Sequence, residues 1–188
     1  RLRRALEDLG PVFVKFGQLL STRQDLLPHD IADELALLQD QVAPFPAKEA
    51  IQRIECALGK SLNDCFAEFD ANPLAAASVA QVHGARLPDG SDVVVKVLRP
   101  GIEKTIDQDL RLLRHVARLL ARWSHSGRRL KPVAVVAEYE RIIHGELDLQ
   151  REAANASQLR RHFKSGDLVY VPEVHWQLTC EQVMVSER

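Results

Sequence analysis

Apolar residues recur at helical spacing among polar residues through the first third of the chain. The run RLRRALEDLGPVFVKFGQLLSTRQDLLP predicts two helices, because Gly10 ends the first and Pro11 opens the second. The second helix is predicted to bury one stripe of side chains: Val12, Phe13, Phe16, Leu19 and Leu20. PHDIADELALLQDQV and PFPAKEAIQRIECALGKS predict two more helices, the last closed by Gly59. We therefore expect residues 1–72 to be helical, with no strand.

The pattern changes to that of β-strands at Asn72 and Pro73. Residues 79–87 and 92–98 are rich in β-formers, and the PDG turn between them predicts a hairpin. A long helix should follow, with one apolar stripe at positions 102, 106, 110, 113, 116, 120 and 123. A second long helix should run from Pro132 to about residue 163, followed by two short strands in LVYVPEVHW and EQVMVSE. This order predicts an α+β fold with a small antiparallel sheet.

Composition narrows the class of protein without identifying it. The chain has 188 residues, 46% of them apolar, with 25 basic against 26 acidic residues, so we expect no nucleic-acid partner. Three cysteines without C-x-x-C spacing and histidines without H-E-x-x-H argue against a disulfide framework and a zinc site. No apolar run approaches the ~20 residues of a membrane-spanning helix, so this chain is expected to be soluble. Because it begins with Arg1 and stops inside an apparent strand, we also expect a fragment.

Lys96 is the first candidate for chemistry. In DVVVKVL, alternation places three valines on one face of the strand and Lys96 on the other, among apolar neighbours. One interpretation is an exposed strand lysine whose stem lies over the sheet. The other is a cation held in a cleft to contact phosphate oxygens, which requires a carboxylate to orient it. Glu152, on a helix about fifty residues later, is the candidate partner.

Acidic residues cluster before and within that helix. Asp148, Glu152 and Asn155 fall at i, i+4 and i+7 and so would share one polar face, which a solvated charged surface also explains. Glu146 does not share this face, because two residues correspond to about 200° of helical turn. If Glu146 and Asp148 serve one metal or phosphate, the helix must be distorted, and Gly145 is where the distortion could begin.

Two small-residue segments pose similar choices. In VKFGQ, Lys15 and Gln18 face the same way, and Gly17 costs about 1 kcal/mol in a helix interior, which indicates a close approach by another helix or a functional group. In AAASVAQV, alanines stand where kinase-like folds use a glycine-rich phosphate loop. Alanine avoids left-handed conformations, so this loop should be stiffer and more helix-prone than a glycine loop.

Together these segments resemble the UbiB family of atypical protein-kinase-like proteins. The resemblance rests on LGPVFVKFGQLLSTRQDLLPHDIADELALLQDQVAPFP, PLAAASVAQVH, VVVKVLRPGI, GRRLKPVAVVAEYERIIHGELDLQREAANASQLRR and VPEV, which cover most of the chain. It implies a kinase-like N-lobe at 73–188, with a small antiparallel sheet and an αC-like helix, preceded by a family-specific helical extension at 1–72. The K-x-G-Q motif of that extension would lie over the active site.

The resemblance also implies roles for single residues. Catalytic roles fall to Lys15, Gln18, Glu146 and Asp148, and the last two are candidate metal ligands. The residues implied in binding ATP or ADP are Leu74, Ala75, Ala76, Ala77, Ser78, Val79, Ala80, Gln81, Val82, Lys96, Glu152 and Glu187. In this assignment Lys96 contacts phosphate, Glu152 pairs with it, and Glu187 begins the hinge. The implied cofactors are ATP or ADP and Mg²⁺.

The implied function is ATP hydrolysis that supports ubiquinone (coenzyme Q) biosynthesis, with lipid intermediates or other enzymes of that synthesis as partners. The complete protein would act at the cytoplasmic face of the bacterial inner membrane. No catalytic-loop aspartate with its asparagine and no D-F-G occur in this chain, so it should be inactive alone, with the C-lobe and membrane spans absent. Two alternatives stay open: a kinase that phosphorylates a protein or small molecule, and a non-enzymatic helical module that binds partners.

Overall fold

A four-stranded antiparallel sheet and eight helices form in the part of the chain that the computed structural model describes, residues 1–23, 27–38, 42–123, 130–163 and 169–188. The helices are α1 (Leu2–Leu9), α2 (Pro11–Ser21), α3 (His29–Ala36), α4 (Ala47–Leu58), α5 (Leu62–Cys65), α6 (Ile102–Trp123), α7 (Pro132–Gly145) and α8 (Leu149–His162). The strands are β1 (Glu68–Ala76), β2 (Ala80–Arg86), β3 (Asp92–Leu98) and β4 (Val183–Glu187), in the order β1-β2-β3-β4. The predicted α+β fold is confirmed.

Contacts divide the chain into two units, each built from two stretches of sequence. The helical unit comprises residues 1–42 and 101–144, and the sheet unit comprises residues 43–100 and 145–188. These units are defined by contacts alone. The proposed domains, 1–72 and 73–188, stay a prediction.

The sheet unit buries one face of β3 as alternation predicted. Val93, Val95 and Val97 have no exposed surface, and they share a core with Ile54 of α4 and Val185 of β4. β2 and β3 pair in register from Ala80 opposite Leu98 to Arg86 opposite Asp92, so the predicted hairpin is confirmed. Its turn depends on glycine, since Gly90 adopts a φ of 89°.

β1 corrects the prediction of an all-helical first third. It covers Glu68–Ala76, pairs antiparallel with β2, and has register irregularities on both sides of Pro73. Its sequence, EFDANPLAA, reads as a turn because it carries asparagine and proline. At the sheet edge proline is tolerated, and pairing with β2 outweighs local preference.

The helix predicted from Pro132 to about residue 163 is two helices. α7 ends at Gly145 and α8 begins at Leu149, with Asp148 as its N-cap, accepting a hydrogen bond from the Arg151 N–H at 2.9 Å. The capping carboxylate satisfies an N–H that has no partner at a helix start, which favours a new helix there. The distortion considered at Gly145 is therefore a complete break, and Asp148 lies outside the helical face assigned to it.

Of the two short strands predicted near the C-terminus, only the second forms in the described residues, as β4. β4 pairs with β3, whereas Val174 makes an isolated bridge with Ser186 and Trp176–Leu178 forms a 3₁₀ turn. Pro172 lacks the N–H that a continuous ladder needs. Leu168, the first residue of LVYVPEVHW, lies outside the described residues; from residue 169 on the segment was wrongly predicted as a strand, although part of it runs beside β4.

α2 in the helical unit packs through a different face from the predicted stripe. Val14 and Gly17 are buried with Val12 and Phe13, while Phe16, Leu19 and Leu20 are only half-buried. A Cβ at Gly17 would lie 2.4 Å from Leu38 Cδ1 and 2.9 Å from Leu6 Cδ1. The close approach predicted at this glycine is confirmed, and its cause is packing against neighbouring helical segments.

α6 also departs from its predicted stripe at its C-terminal end. Ile102, Ile106, Leu110 and Leu113 are buried, but the buried face then continues through Ala117. Positions 116, 120 and 123 are exposed instead, Trp123 by 86%. Within the described ranges, no helix combines the length and apolar character that crossing a bilayer requires.

Candidate functional site

Lys96 lies at the centre of the sheet, on the face away from the valine core. Its register partners are Val82 on β2 and Met184 on β4, and Ala75 on β1 lies opposite Val82. Residues opposite each other in an antiparallel ladder point to the same face, so these four side chains form one row across all four strands. Val94, two residues before Lys96, shares this face and was not among the predicted site residues, although the same alternation identifies it.

Lys96 forms the ion pair with Glu152 that was considered from the sequence. Its Nζ donates to both carboxylate oxygens, at 2.6 Å to Oε1 and 2.7 Å to Oε2. The lysine side chain is 28% exposed and the glutamate 43%, so solvent still reaches the pair. A carboxylate that accepts from the amine through both oxygens fixes the position of the amine.

α8 is held in place by main-chain and apolar contacts, which determine where Glu152 lies. The Leu149 N–H donates to the Glu181 carbonyl at 2.9 Å, and the side chains of Leu149 and Ala153 have no exposed surface. Glu152 falls in the first turn, where the positive end of the helix dipole favours a carboxylate. The packing of α8 therefore aims Glu152 at Lys96.

The alanine-rich segment is extended rather than helix-like, which corrects the expectation from propensity. Ala75 and Ala76 belong to β1, residues 77–79 form a turn, and the Ala77 N–H donates to the Ala80 carbonyl at 2.9 Å. Among the described residues other than glycine, only Lys131 has a positive φ, so none of these alanines does. Alanine is tolerated because this turn requires no left-handed conformation.

Part of the predicted nucleotide segment faces away from Lys96. Gln81 lies opposite Val97 on the core face, and its amide bonds to the Phe45 main chain and, at 2.8 Å, to Nε2 of the buried His83. Ala76 pairs with Gln81 and shares that face, and Ser78 is fully buried. The structure therefore brings Ala75 and Val82 together with Lys96, but not the Gln81 side chain. Whether the segment binds a ligand stays a prediction.

Arg99 is a residue that the sequence analysis missed. Its Nε donates to the Ala77 carbonyl and its Nη2 to the Ala43 carbonyl, both at 2.9 Å. The only local signal is an arginine one residue beyond a buried strand, which is too common to identify a contact. Its importance becomes visible only when the turn and residue 43 are brought together in space.

Glu187 ends β4, where the hinge was predicted. Its carboxylate accepts from the Tyr170 hydroxyl, the Glu173 N–H at 2.9 Å and Arg160 Nη1 at 3.2 Å. These donors, Tyr170 first, hold the pKa of Glu187 below its ordinary value. The Glu187 carboxylate is therefore engaged in contacts within the protein, and its role as a hinge in nucleotide binding stays a prediction.

The predicted metal residues lie in the connection between α7 and α8. Glu146 and Asp148 are both half-buried there, and one oxygen of Asp148 serves as the helix cap. Among the residues that the structure describes, no group of three or more histidine, cysteine or acidic side chains could hold a metal. A metal role for the two carboxylates stays a prediction.

Lys15 and Gln18 belong to the helical unit. Gln18 Nε2 donates to the Leu38 carbonyl at 3.0 Å, and Lys15 is half-buried on α2. Gln18 therefore ties α2 to the end of the α3 segment. The catalytic roles of Lys15 and Gln18, and their placement over the Lys96 site, stay predictions.

Comparisons with known proteins agree with this arrangement. The family model described as the ABC1 atypical kinase-like domain matches residues 37–188. All 188 residues align at 60% identity with the probable protein kinase UbiB of Marinobacter nauticus, and at 59% with that of Pseudomonas putida strain W619. The chain spans 34% and 35% of these two proteins, about a third of the length of the curated relatives it matches.

A solved structure is similar as well. It is described as the complex structure of Rv3197-erythromycin from Mycobacterium tuberculosis. The match has a TM-score of 0.60 and 25% identity, and it covers 92% of this chain and 43% of that one. The fold therefore recurs, over almost the whole of this chain, in a considerably longer protein.

Proposed function

Because this chain belongs to the UbiB family and carries its ABC1 atypical kinase-like domain, we propose that it is the nucleotide-binding half of an ATPase that supports ubiquinone biosynthesis. The observation that carries the proposal is the ion pair between Lys96 and Glu152 on the open face of the sheet. In kinase-like sites a strand lysine oriented by a helix glutamate contacts nucleotide phosphates. Here the two groups come from the two separate stretches of sequence that form the sheet unit, and they meet at hydrogen-bonding distance.

The same face offers apolar surface for a nucleotide base. Val82 lies opposite Lys96 on β2, Val94 lies two residues before it on β3, and the main chain of Glu187 lies on the edge strand β4. In this proposal ATP or ADP lies across this face, with its phosphates at Lys96. The ligand would lie beside the alanine turn, and the hydrogen bonds of Ala77 to Arg99 and Ala80 restrict the movement of that turn.

Mg²⁺ is the metal expected with such a ligand, because it prefers carboxylate and phosphate oxygens. Glu146 and Asp148 fit this chemistry, and the Asp148 oxygen that does not cap α8 remains suited to a metal. When bound, the ion would neutralise phosphate charge. The chain contains no H-x-D or D-F-G motif, so in this proposal it supplies binding, and hydrolysis belongs to the complete protein.

Nucleotide binding by this chain tests the proposal. Titration with ATP and ADP, with and without Mg²⁺, should show binding that Lys96→Ala weakens by about tenfold or more, since a charged hydrogen bond to phosphate is lost. Glu152→Gln should weaken binding less, and Lys104→Ala, at an exposed lysine of α6, should leave it unchanged. Glu146→Gln and Asp148→Asn should reduce the Mg²⁺ effect. Equal affinity of wild type and Lys96→Ala would contradict the proposal.

ATP turnover by the complete protein separates hydrolysis from the alternatives. Lys96→Ala should abolish turnover, and retained turnover would make Lys96 structural. Phosphate appearing on an added protein or small molecule, in place of free phosphate, would support the kinase alternative. Stimulation by a ubiquinone-precursor mimic is expected if lipid intermediates are partners.

A second part of the proposal is that the helical unit contacts an anionic lipid surface through α6. Five exposed residues of this helix form an apolar row: Leu112, Val116, Leu119, Leu120 and Trp123. A neighbouring arginine row follows the spacing i, i+3, i+7 and i+11: Arg111, Arg114, Arg118 and Arg122. No acidic residue occurs at positions 110–123, although Glu140 of α7 pairs with Arg114 at 3.5 Å. Exposed apolar side chains beside arginines, with a terminal tryptophan, are typical of interfacial helices.

Vesicle flotation tests this contact. The chain should float with vesicles of phosphatidylcholine and phosphatidylglycerol but not with phosphatidylcholine alone, since each arginine near an anionic surface adds about 1 kcal/mol. Leu119→Gln and Arg118→Glu should each reduce flotation, whereas Leu159→Gln, at an exposed leucine of α8, should not. Concentration-dependent self-association abolished by Leu119→Gln, without flotation, would assign the row to a second copy of the chain.

A further inference from the structure

We infer that Arg99 is a positioning residue for the alanine turn, residues 77–79. This turn joins β1 to β2 and lies three residues before Val82, the register partner of Lys96. The link to ligand selection rests on the proposed nucleotide site, whereas the positioning of the turn does not. The predicted stiffness of this loop was attributed to the conformational preference of its alanines, and the structure adds Arg99 as a second and separate source of restraint.

Arg99 contacts the turn at both of its ends. Its main-chain N–H donates to the Val79 carbonyl at 2.9 Å, which continues the pairing of β3 with β2 beyond Leu98. Its side-chain Nε donates to the Ala77 carbonyl at the same distance. One residue thus fixes the first and last positions of the turn.

The other side of the guanidinium reaches a third segment. Nη2 donates to the Ala43 carbonyl at 2.9 Å, and the guanidinium carbon lies 5.3 Å from the centre of the Phe45 ring. Phe45 is in turn bonded through its main chain to the fully buried Gln81, at 3.0 Å for the N–H and 3.3 Å for the carbonyl. Arg99 therefore ties the turn to a segment that is itself anchored on β2.

Arginine suits this position because its planar guanidinium donates in several fixed directions. Charged donors also make hydrogen bonds roughly twice as strong as neutral ones. The Arg99 bonds to Ala77 and Val79 both end on carbonyl oxygens, so neither uses an N–H group from which a phosphate would accept. Arg99 can therefore hold the turn without competing with an anionic ligand.

A consequence distinguishes Arg99 from the alanines. Because none of these alanines needs a positive φ, their effect on the turn is a matter of chain stiffness. Arg99 determines where the turn lies relative to β3. Removing the Arg99 side chain should therefore make the turn more mobile even when every alanine is retained. The protein should then distinguish less well between nucleotides, such as ATP and ADP, that differ in their phosphates.

Hydrogen exchange of the nucleotide-free chain tests the positioning. In Arg99→Ala, peptides covering residues 74–82 should exchange about tenfold faster or more, because the charge-assisted bonds to the Ala77 and Ala43 carbonyls are lost and only the main-chain bond to Val79 remains. Arg99→Lys keeps the positive charge but loses the planar guanidinium with its several donors, so its exchange rate at residues 74–82 should lie between those of wild type and Arg99→Ala. Arg86→Ala is the matched control, since Arg86 pairs with Glu68 and Asp92 at the other end of the same hairpin. Unchanged exchange at 74–82 in Arg99→Ala would overturn the inference.

The ratio of the ATP and ADP dissociation constants, measured with the same variants, tests the effect on ligand selection. A ratio is insensitive to a uniform loss of folded protein, so a merely destabilised variant would leave it unchanged. We expect it to move at least threefold toward unity in Arg99→Ala, about 0.7 kcal/mol, and to be partly restored in Arg99→Lys. Faster exchange with an unchanged ratio would refute the selectivity claim. Absence of nucleotide binding in wild type would refute the proposed function and leave the exchange result to decide the positioning.

Discussion

The sheet unit and the helical unit treat their apolar residues differently. In the sheet unit, Val93, Val95 and Val97 of β3 are covered by α4 and by neighbouring strands, and their exposure falls to zero. In the helical unit, α6 buries one face but leaves Leu119 55% exposed and Trp123 86% exposed. The sheet unit also places its polar groups in pairs, such as Lys96 with Glu152 and Gln81 with His83. The sheet unit combines a closed core with an open face that carries the Lys96–Glu152 pair, while the helical unit leaves an apolar row of α6 exposed.

This difference reflects how strictly the periodicity of a strand, compared with that of a helix, predicts which side chains are buried. A strand has two faces, so alternation assigns every residue of β3 to one of them, and both assignments proved correct. A helix has a continuous surface, so regularly spaced apolar residues can change from one face to the next over about six turns. On α6 the apolar residues split into a buried group and an exposed row for this reason.

The largest effect on the free energy of unfolding should come from truncating a side chain in the closed core of the sheet unit. Ile54→Ala removes a side chain with no exposed surface from the α4 contact with the sheet, and should lower the free energy of unfolding by about 2–5 kcal/mol. Leu119→Ala on α6 should change it by less than about 0.5 kcal/mol. Urea denaturation of both variants gives the comparison. A Leu119→Ala loss as large as that of Ile54→Ala would mean that the apolar row is covered.

A smaller effect should come from the tight contact inside the helical unit. The new Cβ in Gly17→Ala would meet Leu38 and Leu6 at under 3 Å, so overpacking should cost about 1–3 kcal/mol. The better helix propensity of alanine offsets about 1 kcal/mol of this. Gly84→Ala in β2, where the new Cβ meets atoms only at 3.8 Å, is the control and should be nearly neutral. A stabilising Gly17→Ala, measured by urea denaturation, would show that these leucines move aside freely.

The smallest effect on stability should come from Glu187 on the edge strand β4, and it should depend on pH. The pKa of Glu187 lies below its ordinary value of 4.5, because Tyr170, the Glu173 N–H and Arg160 donate to its carboxylate. Its stabilising contribution is therefore fully present above that value and is lost as the pH falls through the lowered pKa. Since the side chain is 40% exposed, Glu187→Gln should cost no more than about 1 kcal/mol at pH 7.

Thermal unfolding between pH 7 and pH 3 measures this difference. The gap between wild type and Glu187→Gln should narrow as the pH falls, and Tyr170→Phe should show the same trend with a smaller gap. A gap that widens toward low pH would contradict the direction of the shift. The result would also show whether the predicted hinge carboxylate is retained mainly for its contacts within the protein.

Several features of the candidate site could be predicted because they depend on local rules. Lys96 was placed on the correct face by alternation, and the break after Gly145 was considered because Glu146 and Asp148 cannot share one helical face. Arg99 could not be found this way, since its partners at Ala43 and Ala77 are 56 and 22 residues away. β1 was missed because its local sequence favours a turn and only β2 makes it a strand.

The sequence by itself determined the helix boundaries at Gly10 and Pro11, the β2–β3 hairpin and the two faces of β3, because each follows from spacing or turn chemistry. Its motifs also carried the resemblance to the UbiB family, which the family comparison confirmed. Only the tertiary structure decided that β1 exists, that α6 leaves an apolar row exposed, and that Arg99 holds the alanine turn. These features depend on which distant segment supplies a hydrogen-bond partner or covers a surface, and no local pattern of residues contains that information.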